Sequence, residues 1–267
     1  MKKKFILLSL LIAAVCTASA TITKTIGTGG APTYDYASLH EASLDLYNNP
    51  LTEDMVWEIC TDLTETINTG IINNTEFSLT IRPDADADRT VTYTTSADND
   101  GPSGNFVIGG IPKAIQAENI PFVTEPAKNV TIDGAFDGGS TRRLTFTTNT
   151  AGGITMVVYG NVTNTVIKNC RLINTRTSGT NFALVIRTER NTDNHPVGLL
   201  VDNCYLQATG SANCQVIYFN GSQRSTADGL IENTTINDCE IVAALRGIFF
   251  NGAKNANILG CTFRLAS

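Results

Sequence analysis

The chain is poor in the residues from which most catalytic and metal chemistry is built. Its 267 residues include two histidines, one tryptophan and three methionines, and 16% are charged. His40 and His195, with no Cys-x-x-Cys pair, give a zinc site little material. A basic excess is missing as well: 19 Lys+Arg stand against 25 Asp+Glu, a formal charge of -6. A nucleic-acid binder needs clustered cations to neutralise phosphates, so that class is excluded. No Gly-x-Ser-x-Gly occurs. Gly27-Thr28-Gly29-Gly30 is not continued into the strand-to-helix glycine pattern of a dinucleotide site. What remains is 42% apolar, enough for a core and for one large all-β domain.

The N-terminus carries an address. Lys2, Lys3 and Lys4 precede an apolar stretch from Phe5 to Val15, and Ala18-Ser19-Ala20 supplies a small-residue cleavage pattern. That stretch is too short to span a bilayer, so residues 1–20 read as a signal peptide. Val15 before Cys16 is larger than a lipid-attachment site wants. Cleavage after Ala20 removes three lysines and leaves 16 basic against 25 acidic groups, a charge of -9. No later segment is apolar for long enough to cross a membrane. The reading is an exported bacterial protein.

Residues 21–54 read as an extended lead-in and one helix. Ser38-Leu39-His40-Glu41 fits a capping box, Leu39, Ala42 and Leu46 share a helical face, and Asn48-Asn49-Pro50 ends it. Such a helix suits a cap over the open end of a solenoid. Residues 55–267 then run as short alternating strands broken by Asn, Asp, Gly and Thr, with few hairpin turns.

The second half is a repeat. Ile167-Lys168-Asn169-Cys170-Arg171-Leu172 recurs as Val201-Asp202-Asn203-Cys204-Tyr205-Leu206, Ile236-Asn237-Asp238-Cys239-Glu240-Ile241 and Ile258-Leu259-Gly260-Cys261-Thr262-Phe263. The cysteines are 34, 35 and 22 residues apart. Fixed motifs with variable inserts are what stacked coils give. A second column pairs Ile217-Tyr218-Phe219-Asn220-Gly221 with Ile248-Phe249-Phe250-Asn251-Gly252. Stacking about 4.8 Å apart puts like residues over like, with apolar columns inside. Asn169, Asn203 and Asp238 fall where the chain must bend, and Asn tolerates the left-handed backbone there. The expected fold is a right-handed parallel β-helix. Cys170, Cys204, Cys239 and Cys261 should form an inward column of free thiols. Parallel side chains do not converge to the roughly 3.8 Å a disulfide wants.

Tyr36-Ala37-Ser38-Leu39-His40-Glu41-Ala42, Leu79-Thr80-Ile81-Arg82-Pro83, Asn129-Val130-Thr131-Ile132-Asp133-Gly134 and the Ile-x-Asn-Cys motifs carry a resemblance over most of residues 26–265. The chain resembles the pectin-lyase-like superfamily of right-handed parallel β-helices, and in particular large secreted surface proteins of Gram-negative bacteria that use type IX export. Members include lyases, hydrolases, esterases and proteins without catalysis, so the resemblance implies fold and address rather than activity. It also implies further β-domains and a C-terminal sorting domain. The sequence stops at Ser267 without a cap over its last coil, so it reads as a fragment with an exposed end.

Catalytic patterns are thin. Asn191-Thr192-Asp193 matches one polygalacturonase motif, but no Asp-Asp pair, Gly-His-Gly or Arg-Ile-Lys accompanies it. A glycosidase needs two carboxylates across one bond. Lyase chemistry needs a base near a carboxylate, often with calcium. One residue after each repeated Cys lie Arg171, Tyr205, Glu240 and Thr262, with Asp202 beside them. Arg171, Asp202 and Glu240 are therefore the catalytic candidates, against the alternative of a solvated sheet face. Asp84, Asp86 and Asp88 open like a calcium loop, yet Arg89 replaces its Gly and Thr95 its Glu, so a solvated turn is expected. No metal site or resident cofactor is expected, calcium being the one left open. Tyr218 and Phe249 should face outward on neighbouring coils near Tyr205, an apolar strip suited to sugar rings. The sequence-level conclusion is a secreted or cell-surface scaffold binding a polysaccharide or cell-surface glycan. A polysaccharide lyase or glycoside hydrolase, and a purely structural spacer, are the alternatives.

Overall fold

A computed structural model describes residues 21–29, 33–95, 104–110, 125–148, 153–221 and 229–266. The expected signal peptide lies outside these residues. Among the described residues every paired strand is parallel to its neighbour. One coil shows the plan: Val166–Lys168 lies in an eight-stranded sheet (sheet I), Cys170–Asn174 in a seven-stranded sheet (II) and Thr180–Arg187 in a six-stranded sheet (III). The next coil repeats the order one strand further along. The fold is a parallel β-helix. Thr21–Ile26, expected as an extended lead-in, is itself the first strand of sheet I and pairs with Asp54–Ile59.

Two left-handed bends set the coil cross-section. Asn169, Asn203, Asp238 and Gly260 take φ of 55°, 45°, 48° and 60° between sheets I and II. Five residues earlier in each coil, Asn164, Gly198, Asn233 and Asn255 take φ of 50°, 73°, 54° and 55° on entering sheet I. The last four strands of sheet I are thus bracketed by residues that tolerate a backbone most L-residues avoid. The first bend also carries an amide ladder. Asn203 Nδ2 donates to Asn169 Oδ1 at 2.8 Å, and Asn169 Nδ2 donates to Asp133 Oδ1 at 2.8 Å. Residues 134–143 strap this corner. Asn203 Nδ2 also reaches Ser140 O at 2.8 Å, and Arg142 donates to Asn203 O at 2.8 Å and Oδ1 at 3.0 Å.

The inward column is a continuous core from Ile26 to Ala243 that includes Cys170, Cys204 and Cys239, all buried. The cysteines are free. Outward on sheet I, charges alternate along the axis: Glu58 pairs with Arg82 at 2.8 Å, and Asp133 with Lys168 at 3.0 Å. At the C-terminal end the apolar residues Phe250, Phe263 and Leu265 are 44%, 54% and 81% exposed.

The helix spans Leu39–Asn48 and buries Leu39, Ala42 and Leu46 in the common core. Ser38 Oγ accepts from Glu41 N at 3.0 Å, while Glu41 Oε2 accepts from Ala37 N at 2.7 Å. Its N-terminus also docks on Glu65, a buried carboxylate in the first strand of sheet II, whose Oε1 accepts from Leu39 N at 2.7 Å. Burial raises the Glu65 pKa despite bonds from Leu39 and His40 that lower it. A carboxyl raised above its unfolded value contributes stability below that unfolded value, and the contribution is lost as pH rises through the folded value. Glu65→Gln should therefore flatten the loss of stability with rising pH above about 4.5. Urea melts of both proteins across that range check it. Equal pH slopes would contradict the assignment.

Candidate functional site

The outward residues of sheet III build a face unlike the other two. Val107, Val157, Val185, Tyr218 and Phe249 stand in one register column across five strands. Val107, Val157 and Val185, with Tyr159, form a second apolar cluster outside the coil, and Ile154, Phe182 and Tyr218 pack on it. The column is small and buried at first, then opens into rings that are only half-buried. Phe182 and Tyr218 stack at 5.5 Å between centroids, Tyr218 and Phe249 at 5.4 Å.

Phe182 was not legible as part of this strip. It lies three residues before Val185, so strict alternation turns it inward. The strand breaks its alternation: Ala183 and Leu184 are both core residues, as are Val216 and Ile217 in the next coil. The slip brings Phe182, Gln215 and Arg246 into one register row beside the rings. Arg246 lies 4.9 Å over the Phe249 ring. On the other side Asn251 Nδ2 donates to the Tyr218 hydroxyl at 3.4 Å, and Arg187 approaches the Tyr159 ring at 5.9 Å. Arg187 is half-buried, and that burial lowers its pKa. The face is therefore apolar along its centre and flanked by guanidinium and amide groups.

Two expectations about this strip change. The rings lie 20° and 26° from parallel, so each covers part of its neighbour's face. The strip offers a ridge of offset faces and edges rather than separate open platforms. Tyr205, expected beside it, lies instead on sheet II, as does Glu240. Residues 222–228, the insert that follows the Tyr218 strand, lie outside the described residues.

The catalytic candidates do not meet. Arg171, Tyr205 and Glu240 form one column on sheet II, each on its own coil. Arg171 stacks on the Tyr205 ring at 4.7 Å, and the Tyr205 hydroxyl donates to Gln207 Oε1 at 2.6 Å. Glu240 is held between Arg264 at 3.1 Å and Arg142 at 3.7 Å. Asp202 lies across the Asn203 bend on sheet I and accepts from Asn237 Nδ2 at 2.7 Å. Their carboxylates are engaged with local partners and do not face one groove.

The remaining motifs close on themselves. Asp84 pairs with Arg89 at 2.6 Å, and Asp86 and Asp88 pair with Arg143 at 2.9 and 3.2 Å. One oxygen of each of the three carboxylates is thus paired with a guanidinium group. Asn191 sits at φ 60°, the Thr192 hydroxyl and Asn194 amide donate to Glu189, and His195 Nδ1 lies 2.6 Å from Asp193 O. Among the described residues no helix is long and apolar enough to cross a membrane.

No family model matches the chain, and no curated protein matches it. Among solved structures, the crystal structure of the pectin methylesterase from Aspergillus niger is similar at a TM-score of 0.31 and 12% identity, over 93% of this chain and 88% of that one. At that score the fold rests on the chain's own parallel registers and not on the likeness.

Proposed function

We propose that this β-helix is a glycan-binding scaffold of the cell surface or secreted space, and that it binds through the outward face of sheet III. The observation that carries this reading is the half-buried stack Phe182–Tyr218–Phe249, with Gln215 and Arg246 in one flanking row and Asn220 and Asn251 in the other. Sugars present apolar C–H patches ringed by hydroxyls. A ridge of rings between amide and guanidinium donors matches that pattern. The guanidinium groups at Arg187 and Arg246 favour glycans bearing acid groups over neutral ones. Each contact is weak, which suits a repeated surface engaging a repeated polymer.

The test is retention on a panel of immobilised polysaccharides. A Tyr218→Ala, Phe249→Ala double variant, with unchanged folding, should lose about tenfold in affinity, the equivalent of burying part of each ring against a sugar face. Undiminished retention would remove the strip from binding and favour the spacer reading. Appearance of reducing or unsaturated ends, abolished by Arg171→Ala or Glu240→Gln, would favour the enzyme reading.

A further inference from the structure

The four repeated cysteines share one side-chain placement. Each Sγ donates to the carbonyl two residues before it, in Lys168, Asp202, Asn237 and Leu259, at 3.1, 3.2, 3.1 and 3.3 Å. Each also points to the carbonyl of the β-branched residue in the preceding coil, Ile132, Ile167, Val201 and Ile236, at 3.8, 3.5, 3.7 and 3.5 Å. Identical placement makes successive sulfurs repeat at the coil rise, about 4.8 Å for parallel strands. Two metal–sulfur bonds of about 2.3 Å placed end to end span nearly that distance. The Cβ–Sγ bonds stand side by side, across the axis. An ion midway between two sulfurs would then be linear, with each carbon–sulfur–metal angle near a right angle.

Coordination number and charge select the ion. Among the described residues no group of three or more His, Cys, Asp or Glu could hold a metal, so a tetrahedral ion such as zinc lacks its donors. Thiolates prefer soft ions. A monovalent soft ion between two thiolates leaves a net negative charge beside the apolar core, which disfavours it. A divalent one leaves none. Access selects the pair: Cys170 and Cys204 are fully buried, whereas Cys261 is only partly so and lies over Cys239.

We propose that Cys239 and Cys261 form a two-coordinate site for a soft divalent cation of linear habit, of which mercuric ion is the type. Binding replaces two S–H bonds by two S–Hg bonds and releases two protons, with no redox change. The bound ion staples the last two cysteine-bearing coils together. The half-exposed Cys60 has no repeat partner and can offer one sulfur only.

The protein is loaded with mercuric chloride in solution at about one equivalent per repeated cysteine pair and then crystallised. The anomalous map should place mercury midway between the Cys239 and Cys261 sulfurs. Mercury bonded to single sulfurs only, at Cys60 or elsewhere, overturns the proposal. Equilibrium dialysis gives an independent reading: Cys261→Ser should lower the bound stoichiometry by one ion, and Cys60→Ser should leave the two-sulfur site intact. An unchanged stoichiometry in Cys261→Ser would also overturn it.

Discussion

Gly134→Ala should remove a large share of the stability of the β-helix and lower its urea midpoint steeply. A Cβ at Gly134 would lie 1.8 Å from Asn169 O and 2.6 Å from its carbonyl carbon. The obstacle is backbone, and it belongs to the left-handed bend that also carries the amide ladder. No rotamer change relieves it. The two coils must separate, breaking the 2.8 Å bond from Gly134 N to Lys168 O. The loss should be on the order of 4 kcal/mol, against a total of roughly 5–15 kcal/mol for a domain. Urea denaturation should show a collapsed midpoint. A midpoint within experimental error of the parent would mean that the bend is not packed as described.

Asn203→Ala should cost about 4–5 kcal/mol, and Asn203→Gly about 3. The alanine loses two contributions. One is the side-chain network, since Ser140 O and Asn169 Oδ1 lose their donor and Arg142 loses an acceptor. Each such bond is worth about 1 kcal/mol. The other is the left-handed backbone at φ 45°, which costs alanine roughly 1–2 kcal/mol and glycine almost nothing. The gap between the two variants isolates the backbone contribution. If both melt alike, the ladder contributes only through its side chains.

The repeat made the fold legible because a solenoid places chemically like residues in register. Asn169, Asn203 and Asp238 could be assigned to a bend before any coordinate was known, since few residues accept that backbone. The second bend, through Asn164, Gly198, Asn233 and Asn255, carried an equally regular signal. It stands five residues before the first in each of the four cysteine-bearing coils and is visible once the cysteine motifs are aligned. The helix was readable because capping is local: Ser38, Glu41 and Pro50 act within one turn of the ends they define.

The candidate site was less legible, for two physical reasons. Alternation holds only while a strand is regular, and the paired core residues Ala183–Leu184 and Val216–Ile217 break it just beside the site. Strict parity therefore turns Phe182 inward and hides the row it forms with Gln215 and Arg246. Which sheet faces which is decided by bends and insert lengths, and sequence spacing does not report that. Tyr205 and Glu240 thus stood close to Tyr218 in the chain yet lie on another sheet. Asp84, Asp86 and Asp88 show the converse. Arg143, the partner of Asp86 and Asp88, is more than fifty residues away, while the failed calcium pattern was visible locally.

Hydroxyl-radical footprinting of the protein, free and bound to a retained acidic polysaccharide, tests the sheet III assignment most directly. Phe182, Tyr218 and Phe249 are reactive rings and only half-buried, so a ligand laid along them must shield them together. The expected result is protection at these three rings, with Tyr205 on sheet II unchanged. Protection at Tyr205 with Phe182, Tyr218 and Phe249 unaffected would contradict it, as would failure of every polysaccharide on the panel to bind.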